Sequence, residues 1–149
     1  MVHPDFRSHT GAIIQYNGGK GAVISMSAKQ KLNTASSTTD ELVAVGQALP
    51  FILWKLLFIR EQSYDVNTNN IVYQDNQTTI RLEKNGKQSS GKCTRALNIR
   101  YFHITNQVNN GNLKIKYFPT DQMIGVYMSK AVQGKKIKDF CTAIMGLEK

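Results

Sequence analysis

Cysteine, acidic residues and long apolar runs are all scarce in this sequence of 149 residues. Cys93 and Cys141 are its only cysteines, and no CxxC pair or Cys/His cluster occurs, which excludes the usual structural zinc sites. Two ordinary buried thiols in a reducing, intracellular setting are the simplest interpretation. The N-terminus carries no apolar stretch typical of a signal peptide. The longest apolar run, 49–59, is shorter than the roughly 20 residues that span a bilayer, so it predicts a buried helix and no membrane partner.

The shortage of acidic residues leaves the chain strongly basic. Ten Asp and Glu stand against 19 Lys and Arg, which gives a net charge of +9. Such a charge is typical of a domain that meets a polyanion, most plausibly nucleic acid. A positive, solvated surface without such a partner is an equally open interpretation. Apolar residues make up 41% of the chain, so we expect one folded domain over 1–149.

The first half of the chain predicts a hairpin followed by a long helix. β-branched segments at 10–16 and 21–27 flank an Asn-Gly-Gly turn signal, which favours an antiparallel pair. An apolar stripe at helical spacing follows, and Thr38 and Glu41 ahead of it have the spacing of a capping box. Pro50 lies inside this stripe and is expected to kink the helix or divide it in two.

The second half alternates strands and helices. A strand at 71–75 ends in a carboxylate, and a second strand at 113–118 is ended by a proline. Helices are predicted at 78–84, 97–109, about 121–131 and about 136–146. This order of elements indicates an α/β domain with a mixed sheet.

Several segments together resemble the ribonuclease H-like domain of copia-type retrotransposon polyproteins. They are HPDFRSHTGAII, KGAVISMSAKQKLNTASSTTDELVAV, YQDNQTTIRLEKNG, NIRYFHITNQV, YFPTDQMIG and MSKAVQGKKIKDF, in the family's order and spacing. The resemblance implies a five-stranded mixed sheet flanked by helices, downstream of a reverse transcriptase domain. It also implies a cluster of acidic residues that holds two Mg²⁺ ions, or Mn²⁺, and cuts the RNA strand of an RNA:DNA hybrid.

Two of the family's four acidic positions are matched here. Glu41 matches the second and Asp75 the third, so the resemblance makes them the catalytic and metal-binding residues. Each also has a plainer interpretation. Glu41 is a candidate partner of Thr38 in the capping box, and Asp75 is a candidate cap for the helix that follows it.

The other two positions are not matched. The first aspartate would lie on a strand upstream of Val2, outside this sequence, and Asp5 falls in the turn that leads into the hairpin. The fourth position is occupied by Val126, which coordinates nothing, and Asp121 is expected to cap a helix instead. Glu41 and Asp75 alone supply a charge of about −2 against +4 for two metal ions, so we expect a catalytically degenerate enzyme.

The absent first strand also predicts low stability. In this fold that strand lies centrally, between the hairpin and the strand that ends at Asp75. Its removal leaves backbone groups unpaired, each at a cost of about 1–3 kcal/mol when buried. We therefore expect thermal unfolding below about 60 °C, where mesophilic domains reach their upper range. Cooperative melting above that temperature would contradict this expectation.

A basic loop and the helix after it are the predicted contacts with nucleic acid. Lys87, Lys92, Arg95 and Arg100 are expected to lie along phosphates, where neutralised charges release counterions. Asn76 and Gln77 are expected near the sugar, where the 2′-hydroxyl distinguishes RNA from DNA. A second basic group is as consistent with a solvated face; it comprises Lys114, Lys116, Lys135, Lys136 and Lys138. His103 is expected to be a packed helix histidine rather than an acid or base.

Three functions remain open from the sequence. The first is a two-metal ribonuclease H, the ancestral activity that the resemblance implies. The second is a non-catalytic remnant that keeps the fold and binds RNA:DNA hybrid or other nucleic acid. The third is a translated transposon fragment without function. The resemblance places each of them inside the cell, in the cytoplasm, a virus-like particle or the nucleus.

Overall fold

The computed structural model describes residues 7–16, 21–34, 36–64, 70–86, 98–130 and 133–147, with the backbone alone for 98–102. The strands are β1 (His9–Gln15), β2 (Ala22–Lys29), β3 (Ile71–Gln74) and β4 (Lys114–Tyr117). The helices are α1 (Ser37–Glu61), α2 (Gln77–Asn85), α3 (Asn98–Asn109), α4 (Val126–Ser129) and α5 (Lys135–Met145), with a 3₁₀ turn at Thr120–Gln122. Small sheets flanked by helices make up this mixed α/β fold, which confirms the predicted fold class.

The chain forms two compact units. Unit 1 comprises Met1–Asn33 and Gln122–Lys149, and unit 2 comprises Thr34–Asp121. Within the described residues each unit contains one two-stranded sheet, β1–β2 in unit 1 and β3–β4 in unit 2. The expectation of a single domain over 1–149 stays a prediction.

The predicted hairpin is the centre of unit 1. β1 pairs antiparallel with β2, from His9 opposite Lys29 to Gln15 opposite Ala22, with an irregularity in register beside Ile14. α4 packs on both strands and α5 packs on β2. The helix expected over about 121–131 is wrong in length, since only the single turn of α4 forms there.

Gly11 allows α4 to approach β1. A Cβ built at this position would lie 2.7 Å from the Gly125 carbonyl oxygen and 2.8 Å from Met128 Cβ. Both neighbours are fixed by the α4 backbone, so Gly11→Ala must displace the helix. We expect a loss of about 1–3 kcal/mol, typical of overpacking, measurable as a lower urea midpoint. The matched control is Ser25→Ala, at an exposed position of β2. Gly111→Ala would not serve as a control, because alanine is itself unfavourable at the Gly111 φ of 73°.

A hydrophobic core holds unit 2 together. β3 pairs parallel with β4, with Ile71 opposite Lys114. α2 packs on both strands, and α1 and α3 pack on α2 and on each other. The core residues are almost completely buried. They lie on α1, α2, α3 and β4, and one of them directly precedes β4. They are Leu42, Val45, Leu49, Ile80, Leu82, Ile104, Leu113 and Ile115.

The start of α1 differs from the predicted capping box. The N-cap is Ser36, whose Oγ accepts from the Thr39 backbone N–H, while Thr39 Oγ1 accepts from the Ser36 N–H. Thr38 therefore lies within the helix, and Glu41 is not its capping partner. Four consecutive hydroxyl residues, 36–39, are candidates for these capping contacts, and the first and last of them form the box.

Two further expectations concern Pro50 and the cysteines. Pro50 does not divide the helix, since α1 runs from Ser37 to Glu61, and the kink expected as the alternative stays a prediction. The proline is exposed, so the backbone carbonyl that it leaves unbonded can reach water. Cys141 is exposed rather than buried. Its neighbour Phe140 contacts Tyr127, which turns position 141 about 100° away from that contact.

Among the described residues α1 alone has the length and composition of a membrane-spanning helix. This is weak support for a membrane segment, because the core helix of a soluble protein passes the same test. Leu42 and Leu49 of α1 belong to the hydrophobic core of unit 2. We accordingly describe α1 as a core helix.

Candidate functional site

Glu41 and Asp75 come together in unit 2. Glu41 lies near the start of α1, and Asp75 directly follows β3. The charge of Asp75 contributes to the raised pKa of Glu41, so the two carboxylates are close enough to interact. The two positions that the family resemblance selected thus lie at one site, where a helix start and the end of a parallel strand meet.

Glu41 is a half-buried carboxyl with a raised pKa. Loss of solvent on burial is the largest cause, and the hydrogen bond from Thr79, next in size, acts against it. The charge of Asp75 raises the pKa further, whereas a hydrogen bond from Asn76 lowers it. In the structure Thr79 Oγ1 donates to Glu41 Oε2 over 3.1 Å. Glu41 therefore keeps its proton to higher pH than an ordinary glutamate does.

Thr79→Val is expected to weaken unit 2 in a pH-dependent way. Valine keeps the shape of this fully buried side chain but removes the donor that stabilises ionised Glu41. The pKa of Glu41 should rise further. Stability should fall by about 1 kcal/mol at pH 7, a figure reduced because Glu41 is half exposed to solvent, and by less at pH 4. Urea unfolding at both pH values checks this, with exposed Thr78→Val as the matched control. Equal losses at the two pH values would contradict it.

Asp75 is not the cap of α2. That role belongs to Asn76, whose side-chain oxygen accepts from the backbone N–H groups of Thr78 at 2.9 Å and Thr79 at 3.3 Å. The Asn76 amide nitrogen donates to Thr38 Oγ1 over 3.5 Å. Asn76 thus joins the starts of α1 and α2, and its predicted contact with a nucleic-acid sugar stays a prediction.

Because Asn76 caps the helix, the Asp75 carboxylate is available for other contacts. Its Oδ2 accepts from Thr120 Oγ1 over 2.8 Å, which ties the end of β3 to the turn after β4. Gln77, the other predicted sugar contact, is the exposed first residue of α2. The two carboxylates are therefore held by hydroxyl donors from two different segments of unit 2.

Glu83 is a third carboxyl near this site that the sequence interpretation missed. It is 0% exposed, and Gln74 Nε2 donates to its Oε1 over 3.5 Å. Its other oxygen, Oε2, is buried and has no hydrogen-bond partner among the described residues. Burial raises the pKa of Glu83 to about 8, and the charge of Glu41 adds to the rise. Glu83 is accordingly a neutral carboxylic acid at pH 7.

The described carboxylates do not fit a two-metal centre. Within the ranges that the structure describes, no three Asp, Glu, His or Cys side chains lie where they could hold a metal ion. Val126, at the degenerate position, is the first residue of α4 in unit 1 and offers no ligand atom. Asp121 lies in the 3₁₀ turn. It does not cap α4, the helix that follows, because the N-cap of α4 is Gly125.

The predicted basic contacts are only partly described. Lys87, Lys92 and Arg95 lie outside the described residues, as does the side chain of Arg100. The second basic group is exposed, with two lysines on β4 in unit 2 and three on α5 in unit 1. Exposure is as consistent with a phosphate contact as with a solvated surface. His103 is exposed on α3, so the expectation of a packed histidine is wrong. Its neighbour Ile104 takes the core position instead.

Comparison with known proteins supports a retrotransposon-derived region. The chain is 26% identical over 141 residues to the Retrovirus-related Pol polyprotein from transposon TNT 1-94 of Nicotiana tabacum, which covers 95% of this chain and 10% of that protein. The chain thus spans about a tenth of the length of this relative. No protein-family model matches the chain, and no solved structure gives a significant match.

Proposed function

We propose that this retrotransposon-derived chain is a degenerate ribonuclease H-like domain that binds RNA:DNA hybrids without cutting them. The observation that carries the proposal is the meeting of Glu41 and Asp75 at one site. The family resemblance selected both residues, although they lie on separate elements. The similarity to a Pol polyprotein along 95% of the chain supports the same origin.

The pairing of strands also supports the proposed fold. The resemblance implies a sheet in which the first strand lies between the hairpin and the strand that carries Asp75. The described strands form an antiparallel pair and a parallel pair, β1–β2 and β3–β4. The sheet that the resemblance implies contains an antiparallel pair on one side of its first strand and a parallel pair on the other.

Loss of cleavage follows from the carboxylates. Two divalent ions side by side repel each other strongly unless several negative groups surround them. Among the described residues no three Asp, Glu, His or Cys side chains lie where they could hold a metal ion. Val126 supplies no ligand. We therefore expect binding of nucleic acid through the positive charge of the chain and no hydrolysis by this sequence.

Hydrolysis is tested with an end-labelled RNA strand in an RNA:DNA hybrid, in Mg²⁺ and then in Mn²⁺. No cleavage is the expected result, for the protein and for its Glu41→Ala variant alike. Cleavage by the protein that disappears in Glu41→Ala would overturn the proposed degeneracy. A version with an aspartate-bearing strand ahead of residue 1 and Val126→Asp should cleave the hybrid if the ancestral site is the one proposed.

Binding is tested by titrating hybrid, RNA duplex and DNA duplex at several salt concentrations. We expect the protein to bind the hybrid. The logarithm of the binding constant should fall linearly with the logarithm of the salt concentration, because phosphates that the protein neutralises release their counterions. Combined Lys87→Ala and Lys92→Ala should reduce the salt slope by about 2. No affinity for any of the three nucleic acids would favour the alternative of a translated transposon fragment without function. Partnership with a reverse transcriptase domain and an intracellular location belong to the same proposal.

A further inference from the structure

The C-terminal half of α1 presents an apolar face to solvent. Phe51, Trp54, Leu57 and Phe58 are 44%, 57%, 57% and 48% exposed. At 100° per residue these side chains fall within one arc of about 120°, on the side opposite the core residues of the same helix. Trp54 and Phe58 stack with ring centroids 5.3 Å apart, so the face is a preformed surface.

Such a face is larger than the scattered apolar residues of an ordinary surface. Four side chains of this kind, each about half exposed, offer about 400 Å². Pro50 is exposed on the same arc and extends the patch toward the roughly 500 Å² per partner that a specific interface requires. Contiguous patches of this size commonly mark interaction sites.

We propose that this face of α1 is the interface of a symmetric, antiparallel dimer of the chain. A two-fold axis through Trp54 places each residue opposite the one equally far on the other side of position 54. Phe51 then meets Leu57 of the partner subunit, and Pro50 meets Phe58 of the partner subunit. The apolar side chains match in size along about 12 Å of helix.

The polar ends of the face match in the same register. Gln47 and Glu61 lie seven residues on either side of Trp54 and on the same arc, so each Gln47 amide meets Glu61 of the partner subunit. The Gln47 Oε1 atom is buried without a hydrogen-bond partner among the described residues. Antiparallel helix dipoles also attract rather than repel. No Lys or Arg of α1 lies within this arc.

The sequence contains a built-in reporter for this dimer, since Trp54 is its only tryptophan. We expect Trp54 emission to move to shorter wavelength as protein concentration rises from about 0.1 to 100 µM, a range suited to a weak dimer. Sedimentation velocity should show the mass doubling over the same range. Leu57→Glu should weaken dimerisation by at least about ten-fold. Ile137→Glu, an exposed apolar residue of α5, is the matched control and should leave it unchanged.

A charge exchange tests the register. Gln47→Glu should weaken the dimer by placing two carboxylates opposite each other, and adding Glu61→Gln should restore it. A chain that stays monomeric with unchanged Trp54 emission at every concentration overturns the proposal. So does a blue shift that appears only with vesicles of phosphatidylserine and phosphatidylcholine, which would assign the face to a lipid surface. A dimer that survives Leu57→Glu would also place the interface elsewhere.

Discussion

Glu83→Gln is expected to stabilise the protein by several kcal/mol at pH 8 while changing its stability little at pH 4. Burial raises the pKa of this carboxyl from 4.5 to about 8 in the folded protein, and each unit is worth about 1.4 kcal/mol. Glutamine has nearly the same shape, can still accept from Gln74, and never ionises. The variant thus removes the cost of burying a charge at high pH.

The direction of this effect follows from proton binding. A carboxyl whose pKa is raised on folding binds its proton more tightly in the folded state than in the unfolded state. The stability that Glu83 contributes is therefore complete below pH 4.5, declines between 4.5 and about 8, and is lost above that. Urea unfolding of the protein, Glu83→Gln and the exposed control Asp121→Asn should be compared across this range. A glutamine variant that is destabilised at pH 8 would mean that Glu83 is ionised and well paired.

Glu83 shows where sequence reasoning was incomplete. The segment that contains it reads as a short polar helix with a lysine next to it. Yet the buried residues of α2 are Thr79, Ile80, Leu82 and Glu83, so Glu83 lies three and four residues after two of them, on the same face. That spacing is the signal that could have predicted its burial. Its coupling to Glu41 could not be predicted, because that depends on how α2 packs against α1.

Most of the secondary structure could be predicted because local chemistry decides it. The hairpin was predicted from the Asn-Gly-Gly turn signal in the sequence between β-branched segments. Asn85-Gly86 ends α2 as expected, with Gly86 at a φ of 62°. Helix starts were less predictable where several capping residues adjoin. Ser36 rather than Thr38 caps α1, and Asn76 rather than Asp75 caps α2. In both cases a neighbouring residue with an equally suitable side chain caps the helix.

The candidate site was predictable only through the family resemblance. Without the resemblance, helix capping was the plainer interpretation of both Glu41 and Asp75. In the structure neither residue caps a helix. Their meeting depends on parallel pairing of β3 with β4 and on the packing of α1 against α2. These contacts join residues far apart in the sequence, which no local pattern encodes. The hydroxyl donors Thr79 and Thr120 were missed for the same reason.

The two faces of α1 have different roles, which explains its unusual composition. Near Leu42, Val45 and Leu49 the helix supplies much of the core of unit 2. Toward its end apolar residues continue on the opposite side, where the unit provides no cover. A helix that is apolar all round is typical of a protein core or a membrane span, and α1 is not fully enclosed. Substitutions on the two faces should therefore have separable effects.

Leu49→Ala is expected to destabilise the protein by about 2–5 kcal/mol, because it removes a core side chain and leaves a cavity. Leu49 is 1% exposed and packs with the core cluster of unit 2. Leu57→Ala, the same substitution two turns later on the exposed face of α1, should change the stability of the monomer by less than about 0.5 kcal/mol. A loss of this size at Leu49 is a large share of the 5–15 kcal/mol that holds a typical domain together.

Urea unfolding at low protein concentration isolates the monomer and measures both variants on equal terms. Leu49→Ala should then show a much lower midpoint than the protein, and Leu57→Ala the same midpoint. At high protein concentration Leu57→Ala should weaken self-association more than Leu49→Ala does, since Leu57 lies in the proposed interface and Leu49 does not. Similar midpoints for the two variants at low concentration would mean that both sides of α1 are covered in the monomer. The apolar face would then belong to the core, and the dimer would lose its physical basis.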